Sequence, residues 1–207
     1  MKYVYSITYF LNIIIIFLIL FRFINLNEYD KLIINNFIDQ NKTILILVLF
    51  LTYILIVILN LPLTPLITTY SGAFLGVYET IIYVFFASSL GAYLSLLINR
   101  HFLRNQNLLN KIIKFKIPKP SFFIIFLLKV IPVLPFSWVI IYTSATDFSS
   151  KKFLLAYCAG CLSTIILFAN LGNAIVTNNF FELTIFSFLA LSLFIIGFLF
   201  KKYYLKK

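Results

Sequence analysis

The sequence predicts an all-α polytopic membrane protein: about four full transmembrane helices, two facing proline-broken re-entrant hairpins arranged as an inverted repeat, and one basic amphipathic segment on the cytoplasmic side. Composition, the sidedness of positive charge and a repeated proline motif predict it. Of 207 residues, 62% are hydrophobic and 11% charged, against about 45–50% apolar and about 25% charged in soluble domains. With a mean hydropathy of +1.04, too little polar surface remains to cover a globule. A soluble enzyme, a disordered tail and a nucleic-acid-binding domain are excluded as descriptions of the whole. The net charge of +11 reports topology first, because basic residues gather on the cytoplasmic side. One His and six carboxylates speak against a multi-ligand metal site, so no metal, cofactor or enzymatic activity is expected. Two cysteines imply no disulfide scaffold.

About 17–25 apolar residues can span a bilayer as a helix. Residues 4–23 form the first such run, and no small-residue cleavage site follows, so it reads as an uncleaved anchor. Residues 25–41 mix Asn27, Glu28, Asp30, Lys31 and Asp39 with apolar positions, which suits an interfacial helix or loop. Further apolar runs cover residues 43–61, 80–98, 122–142, 153–174 and 183–200. The organisation expected is an anchor and interfacial segment over 1–42, a core over 43–176 with hairpins near 43–77 and 121–146, and a terminal span with a basic tail over 177–207.

Six straight crossings starting from a cytoplasmic N-terminus put nine basic residues outside: Arg22, Lys31, Lys42, Arg100, Arg104, Lys111, Lys114, Lys116 and Lys119. Seven stay inside (Lys2, Lys151, Lys152, Lys201, Lys202, Lys206, Lys207), against the positive-inside rule. If both proline-containing segments instead dip in and return, the 100–119 loop moves inside. The count becomes thirteen inside against Arg22, Lys31 and Lys42 outside. Both termini are then cytoplasmic, and the compact size suggests a bacterial inner membrane. One tension is that residues 43–61 measure about 28 Å as a helix, long for half a hairpin.

The breaks are alike: Leu61-Pro62-Leu63-Thr64-Pro65 and Ile131-Pro132-Val133-Leu134-Pro135, seventy residues apart. Each precedes a polar, small-residue tract, Thr68-Thr69-Tyr70-Ser71-Gly72-Ala73 and Tyr142-Thr143-Ser144-Ala145-Thr146. Proline removes a backbone donor and clashes with the preceding turn. Within a bilayer the freed groups need protein or a water-lined cavity. Paired breaks at matching positions mark inverted-repeat transporters, with the site between the halves.

At these hairpins the chain resembles the DedA/VTT-domain superfamily, also called SNARE-associated Golgi proteins. The resemblance rests on Pro62, Pro65 and Gly72-Ala73-Phe74-Leu75-Gly76, then on Lys129 through Pro132-Val133-Leu134-Pro135-Phe136, then on the helix from Phe153 to Gly160. It covers roughly residues 43–175. Lys129 stands where the family usually has Arg, and Ser137 to Ala145 stands where it has an Asn-rich stretch with a Gly. Lysine offers a point charge rather than a planar fork. The resemblance implies facing re-entrant hairpins and movement of phosphorylated lipid (phospholipid or polyprenyl phosphate) between leaflets, with proton coupling in some bacterial members.

Lys129 lies in an otherwise apolar run from Phe122 to Phe136. An intramembrane cation costs about 2.5–3.5 kcal/mol on insertion scales and is a functional hypothesis by default. It either holds a lipid phosphate, helped by nearby helix N-terminal amides, or snorkels to the interface. Glu79 is either a counter-ion to Lys129 and proton carrier, or a carboxylate favoured at an outer helix N-terminus. Asp147, the second counter-ion candidate, reads better as a surface-turn or cap residue. Thr64, Thr68, Thr69, Ser71, Ser137, Thr143 and Ser144 are expected to line a hydrated headgroup groove. Gly72 and Gly76 form G-x-x-x-G, a close-packing device. Cys158-Ala159-Gly160-Cys161 lies mid-span and reads as small apolar packing rather than redox chemistry. The partners expected are anionic membrane lipids and no nucleic acid, with a homo-oligomer and a proton as coupling ion both left open. A small-solute transporter and a non-transporting scaffold are the rival readings.

Overall fold

The computed structural model describes residues 28–61, 63–104, 120–130, 136–177, 179, 181–189 and 192. Six helices carry the fold: α1 (Glu28–Ile58), α2 (Thr64–Leu75), α3 (Val77–Arg104), α4 (Phe122–Val130), α5 (Phe136–Ser144) and α6 (Ser150–Val176). Residues 181–189 are also helical, and no strand occurs among the described residues. The expected span at 4–23, the basic loop over 105–119, Pro62, Pro132 and Pro135 lie outside the described residues. So do most of the span at 183–200 and the Ser137 side chain.

α1 kinks at Asn41 (φ −115°, ψ 17°), which separates the polar 28–39 stretch from the apolar run. Beyond the kink, Gln40–Ile58 is nineteen residues long and apolar enough to cross a membrane, as are Val77–Phe102 and Ser150–Val176. The stretch read as the first arm of the first hairpin is thus itself of spanning length, as its nineteen residues led one to expect. The chain is an integral membrane protein with three candidate spans among the described residues.

Asn60, rather than the prolines, ends α1. It adopts φ +58°, a left-handed conformation that asparagine tolerates better than most side chains. The Leu61 amide then bonds the Ile56 carbonyl, and the Asn60 amide bonds that of Val57, closing the helix in a Schellman motif. Pro65 sits in the first turn of α2, where its missing N–H leaves no intrahelical bond unmade. A single residue, Gly76, joins α2 to α3 with φ +88°, ψ 166°, a region open essentially to glycine alone. Gly76 therefore works through its backbone. The packing role expected of the G-x-x-x-G pair falls to Gly72.

Two contacts fix where the chain goes. Lys42, just past the kink of α1, pairs with Glu79 in the first turn of α3 at 2.6 Å, and a Cβ on Gly91 would touch Val57 at 2.9 Å. The apolar part of α1 and α3 thus run parallel, so α2 carries the chain back to the level of the Asn41 kink. At the opposite end, the Arg100 guanidinium donates to Ser150 Oγ and to the Phe148 carbonyl. That pins the end of α3 to the start of α6. Along the antiparallel α3–α6 seam Ser89 meets Cys158 at 3.2 Å, and from the end of α5 the Ser144 hydroxyl donates to the Leu96 carbonyl of α3. The stretch from Arg100 to Ser150 also ends where it started.

The two halves exchange partners. α1 packs on α3 and α4 on α6, whereas the short helix of each half lies on the long helix of the other, α2 on α6 and α5 on α3. The α2–α6 crossing is the tightest. A Cβ on Gly72 would overlap the Ala169 carbonyl, and one on Gly172 would overlap that of Thr69. Outward, Ile44, Leu47, Val48, Leu51, Leu55 and Leu59 form an exposed apolar stripe along α1, continued by Ile82, Phe86 and Leu90 on α3. An apolar surface this continuous belongs in lipid.

Overpacking a close contact costs about 1–3 kcal/mol. Gly172→Ala is expected to lower the thermal midpoint of the detergent-solubilised protein by several degrees, and Gly72→Ala likewise. Measured midpoints equal to that of the unsubstituted protein would mean that the two helices do not touch backbone to backbone.

Candidate functional site around Lys129

The centre of the bundle is apolar but threaded with hydroxyls. Tyr53, Tyr83, Val84, Ala87, Leu96, Ile125, Ile140, Phe153, Ala156 and Tyr157 are buried there. Between them Ser71 hydrogen-bonds the Tyr83 hydroxyl, Tyr53 meets Thr68 at 3.4 Å, and Ser88 donates to the Phe85 carbonyl at 3.1 Å.

α4 supplies the one basic side chain placed within this interior among the described residues. It is nine residues long, with Lys129 in its last turn, where the negative end of the helix dipole favours a cation. α4 lies against α6 closely because Gly160 has no side chain. A Cβ there would stand 2.8 Å from Lys129 Cβ and 2.9 Å from the Phe126 carbonyl. The lysine stem thus crosses Gly160, and its ammonium reaches one turn back along α6 to the ring of Tyr157, 4.7 Å from the centroid. Tyr157 is 1% exposed. The ammonium thus rests against a buried ring, while Lys129 as a whole is partly exposed.

This geometry sits inside a recognisable unit. The VTT domain family matches residues 61–174, just over half of the chain. The chain belongs to that family. The match runs from the turn before α2 to the last turns of α6, and it includes α4 with Lys129 and the Tyr157–Gly160 face. No curated protein and no solved structure matches the chain.

Within the VTT domain the other expected site residues fall into three groups. Glu79 stands at the head of α3 and its carboxylate takes Lys42, with both side chains 40% exposed. Ser89, ten residues further along α3, is the position level with Cys158, so Glu79 is about 15 Å along the axis from the Lys129 level. Asp147 is exposed in the turn before α6, thirteen residues before Gly160. Neither carboxylate is placed as the counter-ion of Lys129, because helix length separates all three.

The hydroxyls form the second group. Thr68, Thr69, Ser71, Thr143 and Ser144 are between 0 and 7% exposed. Thr68 donates to the Thr64 carbonyl at 2.8 Å, Thr69 to Pro65 at 2.9 Å and Thr143 to Val139 at 2.6 Å. Ser144 donates to Ile140 at 2.7 Å. In this packed arrangement Thr68, Thr69, Thr143 and Ser144 bond the preceding helical turn, and Ser71 bonds Tyr83 across to α3. Thr64 is only partly buried.

The cysteines form the third group. Cys161 is buried and bonds the Cys158 carbonyl at 3.3 Å, while Ser88 and Ser89 lie on the two sulfurs. Both thiols are free. Among the described residues no cluster of His, Cys, Asp and Glu could hold a metal ion.

Tyr157, Lys42 and the clamp made by Arg100 were not legible as site elements. A tyrosine three residues before a glycine carries no chemical signal until the helix that crosses there is known.

Ser89→Cys in a Cys161→Ala background should give a disulfide to Cys158 under copper–phenanthroline. Fragments cut between residues 89 and 158 would then stay joined without reductant. Free fragments would show that α3 and α6 do not share this register.

Proposed function

We propose that this VTT-domain protein moves phosphorylated lipid between leaflets, with Lys129 as the contact for the lipid phosphate; it acts as a transporter, not an enzyme. The observation that carries the reading is the Lys129 ammonium held against Tyr157 within the helical core. A cation kept inside an apolar bundle is expensive, and a transient anion is a use for it. The exchange of short helices between the halves supports an inverted-repeat mechanism. The two returns of the chain, pinned by Lys42–Glu79 and by Arg100–Ser150, support two hairpins that re-enter a bilayer from opposite faces. We place the Arg100, Lys151 and Lys152 end in the cytoplasm. Passage of a headgroup then requires α2 and α5 to part from the long helices, which frees the buried hydroxyls to meet it. The membrane assigned is a bacterial inner membrane.

The closed packing of Thr68, Thr69, Ser71, Thr143 and Ser144 favours a second reading, a scaffold that never opens. Lys129 separates the two. A hydrogen bond to a charged group is worth about 1.5–3 kcal/mol. In reconstituted vesicles of phosphatidylethanolamine and phosphatidylglycerol, Lys129→Gln is expected to slow exchange of a labelled phosphatidylglycerol about tenfold or more. Exchange that is absent in the unsubstituted protein, or unchanged in the variant, removes the transport reading.

Sidedness has its own test. In a Cys158→Ala, Cys161→Ala background, Asp147→Cys is expected to react with an impermeant maleimide only from the cytoplasmic side. Lys42→Cys should react only from outside. Labelling of both from one side would refute the assigned topology.

A further inference from the structure

Thr68, Thr69 and Thr143 are buried threonines that each donate to the carbonyl four residues back, at 2.8, 2.9 and 2.6 Å. Thr80, in the first turn of α3, departs from that pattern. It is fully buried, at 0% exposed, and its hydroxyl has no hydrogen-bond partner. The carbonyl four residues back belongs to Gly76, whose backbone is not helical (φ +88°, ψ 166°). That carbonyl already takes the Thr80 amide, in a long bond of 3.3 Å. A buried hydroxyl left without a partner is costly. Groups of this kind are commonly met by an internal water.

Two further hydroxyls stand near it. Tyr83 lies three residues along α3 on the same face, and helical side chains lean back toward the preceding turn. The Tyr83 ring is thereby directed toward the turn that carries Thr80. Its hydroxyl bonds Ser71 on α2, which ties the two helices together a short way inside the Gly76 corner. Ser71 is 2% and Tyr83 5% exposed, so bulk solvent does not reach this level. A hydroxyl donates once and accepts twice. One bond between Ser71 and Tyr83 therefore leaves hydrogen-bonding capacity on that pair, and Thr80 keeps all of its own. The neighbouring Glu79 carboxylate is taken up by Lys42. What remains is a set of neutral hydroxyls from two helices, which suits a water better than an ion.

We propose that Thr80 binds an internal water at the corner of the first hairpin, bridged to the Ser71–Tyr83 pair. A water both donates and accepts, and it needs about two to four polar partners; these three side chains supply them. The site is independent of the phosphate reading of Lys129, and either can fail without the other. It gives Ser71 a partner besides Tyr83, so the hydroxyl of α2 is not left bare if the bond to α3 breaks.

The test is a crystal or cryo-EM structure of the full chain at a resolution that shows ordered water, together with thermal midpoints of the detergent-solubilised protein. A water peak is expected about 2.7–3.2 Å from Thr80 Oγ1, within the same reach of the Ser71 or Tyr83 hydroxyl, and absent from the map of Thr80→Val. Thr80→Val is expected to lower the midpoint by several degrees, because the water loses a partner. A hydroxyl that is buried with no ligand at all predicts the opposite sign, since valine would relieve its desolvation. A map without the peak, or with the Thr80 hydroxyl turned onto the Gly76 carbonyl, overturns the inference, and so does a raised midpoint. Where Thr80→Val does not fold, Tyr83→Phe keeps the ring and removes the hydroxyl. The water peak should then weaken or disappear, and a peak of unchanged strength overturns the bridge.

Discussion

Where α2 crosses α6, nothing separates the two main chains. Gly72 faces the Ala169 carbonyl and Gly172 faces that of Thr69, so the helices meet at the smallest separation that two backbones allow. In lipid, where apolar side chains gain little by leaving one apolar medium for another, such close approach is what holds helices together. The rest of the fold follows from it. With α2 locked onto α6, the first half cannot sit apart from the second, and the matching lock of α5 on α3 ties them reciprocally. The hydroxyls on α2 end up buried for the same reason, Thr69 on its own helix and Thr68 and Ser71 also on the tyrosines of α1 and α3.

Polar contacts work at the ends of the bundle. Lys42–Glu79 is half exposed, so its attraction is weak as a source of stability. Its value lies in registration, since it closes the path of α1, α2 and the head of α3 into a loop. The Arg100 clamp on Phe148 and Ser150 does the same for the second hairpin. The interior cation belongs to neither end. Its ammonium lies over the buried ring of Tyr157, and its stem crosses α6 where Gly160 has no side chain.

Much of this was written in the chain. Composition pointed to the membrane class, which the three long apolar helices and the VTT domain match bear out, and the count of basic residues argued for two returns of the chain. Lys129 stood out because a cation in an apolar run is costly. The prolines were legible as breaks, yet the work of ending α1 belongs to Asn60, whose left-handed conformation is a local choice that the nearby Pro62 and Pro65 overshadowed. The hydroxyl-rich tracts were legible as polar, but sequence does not show which carbonyl a threonine will find four residues back. Glu79 and Asp147 were offered as partners for Lys129 on residue type alone, and their distances from it are a matter of helix length. Tyr157 could not be picked out among thirteen tyrosines before the crossing of α4 and α6 was known.

Gly76 leaves one last mark on the architecture. A lone residue in an extended, positive-φ setting between two helices is too short to act as slack. α2 is therefore tethered to the head of α3 with no loop between them, and because only glycine tolerates that backbone setting, any side chain at position 76 would strain the corner at which the two helices meet.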